Sequence, residues 1–150
     1  MIPKIIHQIW LGPNKRPDIW MDTWKVDYLK QYPDWTYKLW TESELDKLDM
    51  VNKNLYNNEK FYNCKSDIAR YEILYQQGGI FMDADSMWIK KSDNSLDKIL
   101  DMAKEQGAFC AEEPVNKWSL ANGVIGFAKE HIVLKQNIEY IKNDNRSNSK

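Results

Sequence analysis

The chain is predicted to be an α/β domain in which a mainly parallel central sheet is flanked by helices on both faces. Three observations predict it. Short β-prone runs at residues 5–11, 36–40 and 80–82 alternate with stretches whose apolar residues recur every three or four positions. Gly and Pro punctuate the boundaries between them. The 150 residues, 43% hydrophobic and 13% aromatic, suffice for one packed core but not for two independent ones.

Each element has its own signal. Ile5, Ile6, Ile9, Trp10 and Leu11 form a first strand stopped at Gly12 and Pro13. Trp20, Trp24 and Tyr28, at four-residue steps, predict a helix over 18–31 between Pro17 and Pro33, with the aromatic stripe facing the core. A second strand over 36–40 leads to Thr41 and Glu44, whose spacing caps a helix start. Residues 51–63 hold five Asn and read as an irregular loop. A helix over 65–77 stops at Gly78 and Gly79 and is followed by the strand Ile80, Phe81, Met82. Leu96, Ile99, Leu100 and Ala103 mark a helix over 95–105, ended by Gly107 before a strand at 108–111. Val124, Ile125 and Phe127 predict another strand, and Leu134, Ile138 and Ile141 a last helix over 131–142. The single domain thus spans 1–142, and the polar residues 143–150 read as a disordered tail.

Composition argues against several functions. Lys plus Arg total 21 against 22 Asp plus Glu, and a net charge of −1 supplies no field to gather a nucleic acid. Cys64 and Cys110 form no metal-ligand pattern and read as free thiols. No run approaches the roughly 18 apolar residues that a membrane span requires, and no stretch of signal-peptide character opens the chain. The expectation is a cytoplasmic protein, or one in an organelle lumen if an anchor precedes these residues.

Chemistry concentrates after the third strand. Asp83 and Asp85, two positions apart, would cost several kcal/mol each to bury as bare charges. A hard divalent cation, Mg²⁺ or Mn²⁺, would compensate them while substrate phosphates complete its shell. On the preceding helix Asp67 and Arg70 share one face. They can form a self-satisfying pair at the core margin, or the guanidinium can clamp a phosphate or sugar hydroxyls. His7 has no second His near it and reads as structural, bonding to backbone beneath the first strand. Glu112 and Glu113 read as a solvated loop pair.

The segment from Ser66 through Asp67, Arg70, Leu74, Gly78, Gly79 and Phe81 to Asp83 and Asp85 resembles the S-D-x-x-R-x-x-x-L-x-x-x-G-G-x-Y-x-D-x-D signature of family 32 glycosyltransferases. These include the yeast initiating mannosyltransferases and are related to the large clostridial glucosylating toxins. The opening Ile2-Pro3-Lys4-Ile5-Ile6-His7-Gln8-Ile9-Trp10 resembles the family's first strand. Phe81 departs from the signature, which has Tyr there.

The resemblance implies a GT-A, Rossmann-like fold and a retaining, metal-dependent transfer of a hexose from a UDP- or GDP-sugar to a glycan, protein or lipid. It assigns base stacking to Trp10, donor-sugar contacts to Asp67 and Arg70, ribose and metal-shell contacts to Asp83, and direct metal ligation to Asp85. Asn122 matches an Asn that approaches the donor sugar. Family catalytic domains extend past the last helix here, so the chain reads as a short or truncated version. Two other readings stay open: a non-catalytic nucleotide-sugar or metal-binding module of the same fold, and a phosphohydrolase using the Asp pair, which Ser86-Met87-Trp88 fits poorly.

Overall fold

A computed structural model describes residues 1–91, 95–112 and 119–144. The strands are β1 (Ile5–Ile9), β2 (Thr36–Trp40), β3 (Gly79–Met82), β4 (Ala108–Glu112) and β5 (Leu120–Phe127), in the spatial order β2-β1-β3-β5-β4. β1 pairs in parallel with β2 and β3, whereas β5 runs antiparallel to both β3 and β4. Four of the five strands share the direction expected of a mainly parallel sheet, with parallel pairing on the β2-β1-β3 side, and β5 alone opposes it. β1 connects onward to β2 on one side, while its other neighbour is β3. The chain thus leaves β1 and β3 in divergent directions, which opens a crevice beyond their carboxyl ends.

Side-chain alternation sorts the strands into two cores. Ile6, Ile80 and Met82 face a cluster with Trp24, Tyr28, Trp35, Trp88 and Leu96. Ile9, Phe81, Ile125 and Phe127 face the opposite cluster, with Leu45, Tyr56, Ile68, Ile73, Leu74 and Leu134. The second cluster is roofed by α5 (Tyr62–Gln77) and α7 (Ile132–Asn143), with α3 (Glu42–Lys47) and α4 (Lys53–Asn58) beside them. The first is roofed by α1 (Asp18–Asp22), a π-helical turn (Thr23–Tyr28), α2 (Leu29–Gln31) and α6 (Asp97–Met102). Among the described residues no helix is long and apolar enough to cross a membrane.

Two sequence expectations change here. The predicted 18–31 helix contains the π turn, whose wider coil breaks the four-residue register. Trp24 and Tyr28 consequently enter the core, while Trp20 remains 41% exposed. The predicted 51–63 loop contains α4 and the first two residues of α5. Its order comes from distant partners: Lys53 Nζ donates to the carbonyls of Leu45, Asp46 and Leu48. Asn52 donates from its backbone to Glu72 and from its side chain to the Ile138 carbonyl. The capping box at Thr41 and Glu44 is present as expected. Both cysteines are free thiols. Glu112 ends β4 in an exposed position; Glu113 and residues 145–150 lie outside the described residues.

His7 is wholly buried on β1 and tied at both ring nitrogens. The Gly78 carbonyl can only accept, so Nε2 carries the proton and donates to it at 2.8 Å. The Trp40 indole N–H can only donate, so Nδ1 accepts from it at 3.1 Å. Burial holds the imidazole neutral, with its pKa pushed from 6.5 to about 4. A folded pKa below the unfolded one means that the unfolded chain takes up protons first as pH falls. Stability conferred by neutral His7 is therefore full above pH 6.5 and lost down to about pH 4. Urea titrations across this window are expected to show a decline of about 3 kcal/mol, and His7→Gln is expected to remove that part of the pH dependence.

Candidate functional site

The site begins with α5. Ile68, Ala69, Ile73 and Leu74 bury one stripe of the helix against the sheet, and Arg70 is carried inward on the same turns, only 5% exposed. At its end Gly78 and Gly79 take φ of +66° and +110°, conformations that side-chain-bearing residues avoid. A Cβ on Gly79 would also lie 2.7 Å from the Ile5 carbonyl oxygen. This reversal feeds β3, whose four residues are all buried, so that Asp83 emerges at the sheet rim. Trp10 emerges beside it, one residue past the end of β1.

Arg70 gathers the rim residues around its guanidinium. Nη2 meets Asp67 Oδ1 at 2.9 Å, and Nη1 lies 3.5 Å from Asp83 Oδ1. Nη1 also donates to the Asn122 carbonyl at 2.7 Å. The Asn122 side-chain amide closes the circuit by donating to Asp67 Oδ1 at 3.1 Å. Beneath the guanidinium lies the Phe81 ring, 4.3 Å away, so the ring that replaces the family's Tyr supplies a cation–π face.

Asp83 is held by its backbone as well. Its N–H donates to the Gly123 carbonyl at 2.8 Å, and its carboxylate lies so close to Gly123 that a Cβ there would fall 2.6 Å from Oδ2. Burial pushes the Asp83 carboxyl above the usual aspartate range; Arg70 opposes this, while Asp85 and Asp67 add to it. The Trp10 indole is anchored by Nε1–H donating to the Asn14 carbonyl at 3.1 Å.

A cleft of about 760 Å³ joins these groups: Trp10, Asp67, Arg70, Asp83, Asp85 and Asn122 all line it. Every site residue singled out from the sequence is therefore brought to one surface, which spacing alone could not establish for Trp10 and Asn122. Lys15, Trp20, Tyr62 and Ser66 line the same cleft and were not singled out. Trp20 was hidden by its apparent place in the core stripe, and Tyr62 by an Asn-rich stretch without periodicity. A second depression of about 780 Å³, lined by Asp27, Lys30, Gln31, Trp88 and Lys90, shares none of these residues and has no acid pair. The donor set at the rim is oxygen only, as a hard divalent cation requires. Among the described residues no group of three or more His, Cys, Asp or Glu side chains could hold a metal ion by itself. Asp83 and Asp85 would fit a hard divalent cation only with further oxygen ligands from outside the chain to complete its shell.

The fold and the family match place the chain among the glycosyltransferases. The structure is similar to the PaToxG glycosyltransferase, with a TM-score of 0.66 at 18% identity over 99% of this chain and 63% of that one. Residues 17–104 match the glycosyltransferase sugar-binding region containing the DXD motif, and the chain belongs to that family. It is 30% identical over 139 residues to inositol phosphoceramide mannosyltransferase 3 of Schizosaccharomyces pombe, covering 90% of this chain and 36% of the relative. It is 35% identical over 106 residues to inositol phosphoceramide mannosyltransferase 1 of the same yeast, covering 65% of this chain and 32% of the relative. The chain thus spans about a third of the length of these curated relatives.

Removing the guanidinium would leave Asp67 and Asp83 facing each other and the Asn122 carbonyl without its donor. Breaking a fully buried pair costs about 3–5 kcal/mol; because both acids are nearly half exposed, Arg70→Met is expected to cost about 1–3 kcal/mol. Urea denaturation at neutral pH checks this, and a stability equal to that of the parent would refute the hub assignment.

Proposed function

We propose that the chain is the donor-binding and catalytic part of a metal-dependent, retaining glycosyltransferase that moves a hexose from a UDP- or GDP-sugar to a glycan, protein or lipid acceptor. The observation that carries this is the convergence of Trp10, the Arg70-centred acids and Asp85 on one cleft at the carboxyl ends of β1 and β3. The relatives named for mannosyl transfer to inositol phosphoceramide favour mannose as the hexose and a polyol headgroup as the acceptor.

The geometry suits the chemistry. A nucleoside-diphosphate sugar presents a flat base, a diphosphate and a hydroxyl-rich ring. The Trp10 indole, tethered through its N–H, offers a stacking face for the base. Asp83 and Asp85 would hold Mn²⁺ or Mg²⁺, which when bound stabilises the charge that develops on the departing diphosphate. Asp67 and Asn122 are locked to each other and to Arg70, and in this reading they would accept from and donate to sugar hydroxyls. Arg70 is committed to the acids and to the Asn122 carbonyl, so its contribution is to hold them in place before substrate arrives. The carboxylates lining the cleft are Asp67, Asp83 and Asp85, two of which Arg70 engages. With Asp85 assigned to the cation, we take same-face attack, rather than a covalent glycosyl-enzyme, as the route to retention.

Incubation with UDP- and GDP-sugars, Mn²⁺ and candidate acceptors should release nucleoside diphosphate and yield a glycosylated product of unchanged anomeric configuration. Donor binding without release in any acceptor mixture would instead identify a binding module. Asp85→Ala is expected to abolish Mn²⁺-dependent donor binding in calorimetry while the protein keeps its fold. Trp10→Ala is expected to weaken nucleotide binding by about 1–3 kcal/mol; an unaltered dissociation constant would remove the indole from the base site.

A further inference from the structure

The acidic turn is also gripped from behind, by a residue that does not line the cleft. Gln8 on β1 is 0% exposed, and both ends of its amide are used. Its Oε1 accepts from the Tyr37 hydroxyl at 2.8 Å. Its Nε2 donates to the Asp83 carbonyl at 3.1 Å, with Ser86 Oγ at 3.5 Å. The orientation is determined chemically: a carbonyl can only accept, so the nitrogen must face Asp83, and the oxygen is left for Tyr37.

The same Asp83 carbonyl accepts from the Ser86 N–H at 3.0 Å, closing the turn that carries Asp85, while the Asp83 N–H is bound to Gly123. The peptide groups on both sides of Asp83 are thus fixed, one from β5 and the other from β1. We propose that Gln8 is a positioning residue for the Asp83–Asp85 turn, with the Tyr37 hydroxyl setting the direction of its amide. This rests on the reading of the turn as the cation and diphosphate site. The two carboxylates can converge on one ion only if the backbone between them is held, and Gln8 supplies the donor that holds it. Tyr37, on β2, extends the support one strand further from the cleft.

The test compares the parent chain with Gln8→Met, which keeps the side-chain length but removes donor and acceptor, and with Tyr37→Phe. Mn²⁺ binding is read from the electron paramagnetic resonance signal of the free ion, and UDP and GDP binding is measured separately in chelator. Gln8→Met is expected to weaken Mn²⁺ binding roughly tenfold or more, the usual cost of losing a residue that orients metal ligands. Tyr37→Phe should shift it less, in the same direction, and metal-free nucleotide binding should hardly change. Parent-like Mn²⁺ affinity in Gln8→Met, or an equal loss of metal-free nucleotide binding, would overturn the proposal. Hydrogen exchange of the Ser86 amide in the ion-free protein gives an independent reading. Faster exchange in Gln8→Met is expected, and an unchanged rate counts against positioning whether or not any nucleotide binds. If the parent itself binds neither Mn²⁺ nor nucleotide, the functional reading fails instead.

Discussion

A guanidinium buried at the edge of a sheet must find its counter-charges within the protein, and that requirement organises this molecule. Arg70 sits almost out of water, over an aromatic ring, where an unpaired cation would be severely destabilising. Its partners come from three separate elements: Asp67 from its own helix, Asp83 from the end of β3 and the Asn122 carbonyl from β5. Satisfying one side chain therefore docks α5 onto both strands. The acids acquire fixed positions as a consequence, before any ligand supplies a reason for them.

The sheet order explains why this cluster faces a cleft rather than a closed core. β1 lies between β2 and β3, and the chain diverges beyond its end. The gap is bordered by Trp10 on one side and Asp83 to Asp85 on the other. Antiparallel β5 then delivers Asn122 and Gly123 to the same rim, close enough to touch the Asp83 carboxylate and backbone. Buried polar groups on β1 reinforce the arrangement from beneath. His7 ties the strand to Gly78 and Trp40, and Gln8 ties it to the acidic turn and Tyr37.

Polar satisfaction at the core margin thus serves two ends in this fold. Each buried donor or acceptor is costly unless met, and the partners that meet it are the backbone groups on which the site residues ride. Stability and site geometry are coupled through the same hydrogen bonds. The chain's membership of the glycosyltransferase family with the DXD motif accords with such a rim, since groups fixed in advance need no reorganisation when charge develops.

Much of this was legible in residue order because it depends on local chemistry. The double glycine after a long helix, the capping pair Thr41 and Glu44, the alternating strands and the i, i+3 spacing of Asp67 and Arg70 all act over a few residues, where spacing translates directly into geometry. What could not be read locally was decided by distant contacts. The π turn moved Trp20 from the expected core stripe into the cleft. Residues 53–58 of the Asn-rich stretch became helical because Lys53 and Asn52 found carbonyls and a buried Glu72 elsewhere in the chain. The roles of Gln8 and Tyr37 were invisible for the same reason, since a hydrogen bond between side chains 29 positions apart leaves no periodic trace. Sequence alone determined which groups would carry charge and where the chain would turn; only packing in three dimensions decided which of them would meet, because burial of polar atoms is settled by neighbours that the local order of residues does not name.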